Sequence, residues 1–222
     1  MKVLVVLAHP EPQSFNGAMY RTAIQALEAA GHEVKTSDLN LQEFYAVSDR
    51  SNFTTVKDAQ FLKLQVEEAH ATATRTFAPA LEAEMQKVEW CDLMIWQFPM
   101  WWFGLPAMLK GWVDRVFALG RAYGNGHYYE TGMFKGKKAM LSVTTGAEAA
   151  DFAPDGFNGD LEGILKPIHR GIFEFTGFEV LRPHLVYTPA RLNDGQRKQE
   201  LDNWAARLQQ IDTESVIQVG RY

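Results

Sequence analysis

Apolar residues along this chain follow two alternating periods. Five short runs are β-rich and nearly unbroken: Lys2–Leu7, Glu33–Thr36, Leu93–Phe98, Lys138–Thr144 and Glu179–Tyr187. The third and fourth read as almost continuously apolar, as strands do when helices cover both their faces. Between the runs the period lengthens to that of a helix. Met19, Ala23, Leu27 and Ala30 form a stripe over Asn16–Ala30, and Gly31 stops it. A segment from Phe61 to Val88 reads as helical, with Pro79 the position that would interrupt it. Pro106 stands near the first turn of a helix through Leu109, Val113 and Phe117. Leu161, Leu165, Ile168, Ile172 and Phe175 form another stripe, in which Pro167 should cause a kink or a reset. Asn193 is placed to cap a last helix carrying Leu201, Trp204, Leu208 and Ile211.

Alternating strands and helices point to α/β architecture with a doubly wound parallel sheet, helices on both faces. Right-handed crossovers leave two common strand orders, and five strands fit the flavodoxin-like order 2-1-3-4-5. No linker, repeat or low-complexity stretch divides the chain, so residues 1–222 read as a single domain. Leu39–Asp58 is polar and irregular, an excursion over the surface or onto a partner subunit.

Composition changes this picture only by exclusion. The 222 residues are 46% apolar and 22% charged, ordinary for a globular chain with one sizeable core. A net charge of −5 argues against nucleic-acid binding, which needs a basic face. Cys91 is the single cysteine, so no intrachain disulfide forms. The opening run Val3–Leu7 is too short for a membrane span and has no signal-peptide flanks, which favours a cytoplasmic protein.

In open α/β sheets ligands bind beyond the strand carboxyl ends, where the strand order reverses. Three loops should meet there: Ala8–Asn16, Pro99–Leu105 and Thr145–Gly159. The first reads Ala8-His9-Pro10-Glu11-Pro12-Gln13-Ser14-Phe15-Asn16 and opens a helix. A helix N-terminus suits a phosphate, and His9, Ser14 and Asn16 add side-chain donors. Ser14 or Asn16 could equally be a plain helix cap; the position after strand one favours the phosphate. There is no G-x-G-x-x-G, so this is not a nicotinamide-binding turn. The second loop holds Met100, Trp101, Trp102 and Phe103. Contiguous aromatics in a loop suit a wall for a large flat ring; a hydrophobic lid or a dimer contact is the alternative. The third begins Thr144-Thr145-Gly146-Ala147, whose small residues let backbone N–H groups reach a ligand edge.

The remaining candidates carry less. Cys91, between Trp90 and Asp92, reads as a core residue. His32, His70, His127, His169 and His184 have no spacing that gathers a metal. No carboxylate pair is set for acid–base work.

Several stretches together resemble one family. Gln97–Phe117 reads QFPMWWFGLPAMLKGWVDRVF, supported by Leu7-Ala8-His9-Pro10, Ser14-Phe15-Asn16, Arg121-Ala122-Tyr123-Gly124 and Leu141–Gly146. The chain resembles the NAD(P)H:quinone oxidoreductases, the DT-diaphorase family, and within it the shorter bacterial members. That resemblance implies a flavin enzyme taking hydride from NAD(P)H and passing two electrons to a quinone in a ping-pong cycle. It also implies a homodimer with sites at the subunit interface. Carried across by position, His9, Ser14, Phe15 and Asn16 contact the cofactor's phosphates and ribose. Pro99, Met100, Trp101, Trp102 and Phe103 line the isoalloxazine, and Thr144, Thr145, Gly146 and Ala147 close its polar edge. Arg197 and Leu201 fall where the family holds the adenine half of FAD, which favours FAD over FMN.

Two departures stand out. The animal enzymes place a Tyr and a His beside the flavin, where this chain has Phe152 and Asn158; backbone N–H groups near Gly146 are the remaining catalytic candidates. On the substrate side, Trp102, Phe103 and Tyr123 are expected to stack and orient, while a second family tyrosine is replaced by Asn125. Rival readings are an azo- or nitro-reductase acting on another flat electrophilic acceptor, and an ancillary regulatory subunit of a potassium-efflux system.

Overall fold

The computed structural model describes all 222 residues. The chain runs β1 (Lys2–Leu7), α1 (Phe15–Ala29), β2 (Glu33–Asp38), α2 (Leu64–Thr74), α3 (Pro79–Trp90), β3 (Leu93–Pro99) and α4 (Ala107–Val116). It continues through β4 (Lys138–Thr145), α5 (Leu161–Ile168), β5 (Glu179–Val180), β6 (His184–Tyr187) and α6 (Asp194–Leu208). All pairings are parallel, in the flavodoxin-like order β2-β1-β3-β4-β5, with β6 also on β4.

The fifth apolar run is two strands rather than one. Glu179–Val180 pairs with Lys138–Ala139, and His184–Tyr187 pairs with Ser142–Thr145. Pro183 lies between them, with no N–H to give a ladder. The chain's end covers this edge: Leu181 bridges Val216, and Ile217 N–H donates to the Val180 carbonyl at 2.8 Å.

Two cores sandwich the sheet. On one face Met19, Ala23, Leu27, Trp204 and Leu208 of α1 and α6 pack on Val3, Val5, Leu93, Ile95 and Met140. On the other, α2 to α5 cover Leu4, Val6, Met94, Trp96, Leu141 and Val143. All seven residues of β3 are buried, which accounts for its unbroken apolar reading. Each fully buried large side chain contributes about 1.5–3 kcal/mol.

The helical segment is interrupted at Pro79 as expected, and Pro167 acts on its helix in another way. The Phe61–Val88 segment is two helices: Arg75, at φ 59°, ends α2, and Pro79 opens α3. Pro167 does not break its helix but resets its ladder. It lacks an N–H, and the ladder beyond Ile168 widens into six residues of π-helix, His169–Glu174.

The Leu39–Asp58 excursion is tethered to the body. Leu39, Phe44 and Phe53 are buried. From α4, Arg115 donates Nε–H to Asn52 Oδ1 at 2.7 Å and a second N–H to the Tyr45 carbonyl. No helix is long and apolar enough to cross a membrane.

Candidate functional site

The three loops meet as the strand order requires. Ala8 N–H donates to the Gln97 carbonyl at 3.0 Å, linking β1 to β3, and Met100 N–H donates to the Thr144 carbonyl at 2.8 Å, linking β3 to β4. A fourth segment joins them. Thr188 N–H donates to the Thr145 carbonyl at 2.9 Å, and Pro189–Arg191 continue along the rim. Two neighbouring cavities result, both lined by Pro189 and Ala190. The larger, about 620 Å³, holds His9, Ser14, Phe15, Asn16, Arg197 and Leu201. The smaller, about 260 Å³, holds Pro99, Met100 and Trp101 together with Thr144, Thr145 and Gly146.

At the first loop, Ser14 caps α1 by accepting from Gly17 N–H at 3.1 Å. Gly17 is required there, because a Cβ would meet the Pro12 carbonyl oxygen at 2.2 Å. The loop is thereby held against the helix end whose free N–H groups suit an anion. His9 Nδ1 accepts from Glu11 N–H at 3.0 Å, which leaves its other nitrogen as a donor. Asn16 is buried, its carboxamide bonded to Gln97 and Thr144. Arg197 bonds to the Leu192 carbonyl and to Asp194 at 2.5 Å, so it shapes the cavity wall through the 189–192 segment.

The second loop is a two-residue turn. Trp101 and Gly104 exchange backbone hydrogen bonds of 3.2 and 3.0 Å, with Trp102 at φ 52° and Phe103 at φ 58°. Such left-handed pairs favour Asn-Gly; a Trp-Phe pair is strained, and strain of this kind gathers at functional sites. Trp102 is 98% exposed and Phe103 53%. Only Trp101 of the three reaches the small cavity.

At the third loop, Thr145 Oγ1 donates to the Ala147 carbonyl at 2.8 Å. Gly146 has no positive φ, and a Cβ there would meet nothing within 4 Å. The turn itself therefore does not demand glycine, and the open side faces the cavity. A flat slot between Pro99–Trp101 and Thr144–Gly146, next to a helix N-terminus, fits a ring system carrying a phosphate.

The other candidates lie apart. Phe152 is buried, its ring 6.2 Å from that of Tyr187, and lines neither cavity. Asn158 is held through its backbone, N–H to the Asp151 carbonyl at 2.7 Å. Tyr123 accepts from Gln65 Nε2 at 3.2 Å and packs on Phe175; with Asn125 it stands away from both cavities. Burial pushes the Cys91 thiol up to about 12, so it stays protonated and unreactive. No three His, Cys, Asp or Glu side chains come together to hold a metal.

The family model for the flavodoxin-like fold matches residues 1–211. The rat NAD(P)H dehydrogenase (quinone) 1 is 41% identical over 97% of this chain and 79% of its own length. The chain belongs to this quinone oxidoreductase family. The human ribosyldihydronicotinamide dehydrogenase (quinone) is 39% identical over 97% of the chain and 94% of its own length. A solved structure from Klebsiella pneumoniae, provisionally described as a quinone reductase, superposes with a TM-score of 0.94. It is 40% identical, covering 98% of this chain and 87% of that one.

As a member of the family, the chain also builds its site from residues that its motifs did not mark. Thr188–Arg191 line the small cavity because β6 ends on the same side of the sheet as β1, β3 and β4. A run that ends at Tyr187 carries its following loop to that same end of the sheet, which is the signal that marks these residues.

Proposed function

We propose that this protein is a flavin-dependent NAD(P)H:quinone oxidoreductase acting by a ping-pong cycle. The observation that carries the reading is the slot between Met100–Trp101 and Thr144–Gly146, opening onto the anion-suited end of α1. A flavin held there would supply two-electron chemistry between the dihydronicotinamide and the acceptor. Donor and acceptor use one space in turn.

The chain's own residues bind and orient. The α1 N-terminus, His9 and Ser14 hold the phosphates, and Asn16 is fixed beneath them. Pro99, Met100 and Trp101 form the wall, while Thr144, Thr145, Gly146 and Ala147 supply donors at the ring edge. Phe15, Arg197 and Leu201 line enough further volume for an adenine, which supports FAD over FMN. Gly146 N–H takes the electrostatic role, since Phe152 has no hydroxyl and Asn158 does not titrate. Trp102 and Phe103 orient the substrate, and a homodimer would bring Tyr123 and Asn125 of the second copy across the slot. The site is cytoplasmic on this reading.

Anaerobic addition of NADPH to purified protein tests it, with the released flavin identified by chromatography. FAD release, bleaching of the visible absorption and its return on adding a quinone are expected. Protein that binds no flavin after reconstitution would refute the reading. Because the relatives differ in the donor their names record, a comparison of NADH, NADPH and dihydronicotinamide riboside belongs in the same experiment. Turnover of azo dyes at the expense of quinones would move the assignment to the azo-reductase reading.

A further inference from the structure

Gln97 lies on central strand β3, 1% exposed, at a position where Ile95 and Leu93, two and four residues earlier, are apolar. A buried polar side chain in the middle of a sheet needs a reason, because an apolar one would pack without needing a partner. Its Nε2 donates to Asn16 Oδ1 at 2.8 Å, and Asn16 Nδ2 in turn donates to Thr144 Oγ1 at 2.9 Å. The second bond leads to the wall of the small cavity.

These two bonds have a direction. A carboxamide can sit either way round, and its setting is decided by its neighbours. With its oxygen taken by Gln97, Asn16 must turn its NH₂ to Thr144. The Thr144 hydroxyl then accepts, and its single proton points elsewhere. No protein acceptor takes that proton. Thr144 is 4% exposed and borders the cavity, where Met100, Trp101 and Gly146 stand around it.

The sheet extends the same polarity inward. Leu7, Gln97, Ser142 and His184 are register partners across β1, β3, β4 and β6, so their side chains leave one face, toward α1 and α6. Gln97 Oε1, Ser142 Oγ and His184 Nε2 are each buried without a partner. No hydrogen bond joins these three atoms, so the setting of the Gln97 amide rests on its Nε2, which donates to Asn16 Oδ1 and lies 3.8 Å from Met19 Sδ.

We propose that Gln97 is a positioning residue: it fixes the direction of the Asn16 carboxamide and so makes the Thr144 hydroxyl a donor into the cavity. The inference rests on the flavin reading, because its consequence falls on the ring edge that Thr144 borders. Negative charge gathers at such an edge on reduction, and a donor set there in advance favours the reduced form. A purely structural tie between α1 and the sheet would need no defined direction.

The test is redox titration of the flavin bound to the full-length protein, paired with fluorescence titration of flavin affinity. Gln97→Met keeps the volume and removes the donor, so Asn16 is free to turn and take the Thr144 proton. The expected result is a tenfold loss of preference for reduced over oxidised flavin, which is about 30 mV lower for a two-electron couple. Thr144→Val should give the same shift, the double variant no more than either, and Thr144→Ser should restore the wild-type potential. An unchanged potential in Gln97→Met, or additive shifts in the double variant, overturns the proposal while leaving the flavin assignment standing. If Gln97→Met does not fold, equal potentials for Thr144→Val and Thr144→Ser overturn it in the same way. A wild-type protein that takes up no flavin overturns both.

Discussion

At the scale of single residues, Phe152 and its family counterpart differ by one hydroxyl. A phenol could donate to developing charge and a phenyl cannot, but Phe152 is buried and lines neither cavity. Phe152→Tyr should therefore leave the rate of flavin reduction within about twofold, far short of the ~10²–10⁴-fold that general acid–base assistance is worth. Stopped-flow reduction by NADPH measures it; a rise of about tenfold or more would mean that residue 152 reaches the flavin. One buried and one half-buried histidine set a different expectation. Burial lowers both His169 and His184 to about 4, with Arg207 adding to the effect on His184. Unfolded, each titrates near 6.5, so between about 4 and about 6.5 the unfolded chain holds protons that the folded chain refuses. Stability therefore rises with pH through that window and is lost as pH falls, by up to about 3 kcal/mol per histidine at pH 4. Thermal melts from pH 7.5 to 4.5 should show the loss, and His169→Leu should flatten it. The sequence revealed neither environment, since His169 and His184 carry no motif; it did mark many of the residues that line the two cavities, because their types gather at strand ends.

Among the elements, the sequence is most legible where one rule governs. Four of the five β-rich runs stand where read, because an apolar run bounded by helices has only one place in a doubly wound sheet, and the fifth divides at Pro183. It is less legible at prolines. Pro79 and Pro167 present the same missing N–H, yet one opens a helix and the other is carried through it. The difference lies in the tertiary packing of Leu165, Ile168 and Phe173, which holds the second helix together across its widened turn. The Trp102-Phe103 turn is illegible for the opposite reason, because its backbone contradicts the propensities of its residues. Replacing the pair with Asn-Gly should relieve strain of about 1–3 kcal/mol per residue and raise the melting temperature. If the aromatics orient substrate, the same variant should lose at least about tenfold in kcat/KM for quinone, a loss of roughly 1.4 kcal/mol in transition-state binding. A gain in stability without a loss in kcat/KM would mean the turn serves assembly alone.

For the whole molecule, the unresolved balance is between a site that looks complete and aromatic surface that does not. The slot, the helix end and the wall all come from one chain, yet Trp102 and Phe103 project outward beside it, and Tyr123 and Asn125 line neither cavity. Large exposed aromatics beside a ligand site are expected where another surface covers them. A two-fold dimer would cover both copies by one contact and bring each chain's Tyr123 to the other's slot. Equilibrium sedimentation should then give twice the chain mass. A mixing experiment reads the shared site directly. Gly146→Val should fill the slot while sparing the fold, because its Cβ meets no protein atom within 4 Å. Tyr123→Ala should remove the contribution made to the partner, with thermal melts checking that loss of the contacts to Gln65 and Phe175 leaves the fold intact. Each variant alone should be nearly inactive. Unfolded and refolded together in equal amounts, half the dimers would be mixed, each with one intact site, restoring about a quarter of wild-type turnover. If each chain builds its site alone, the mixture can give no more than the mean of the two variants, and the exposed aromatics would need another partner.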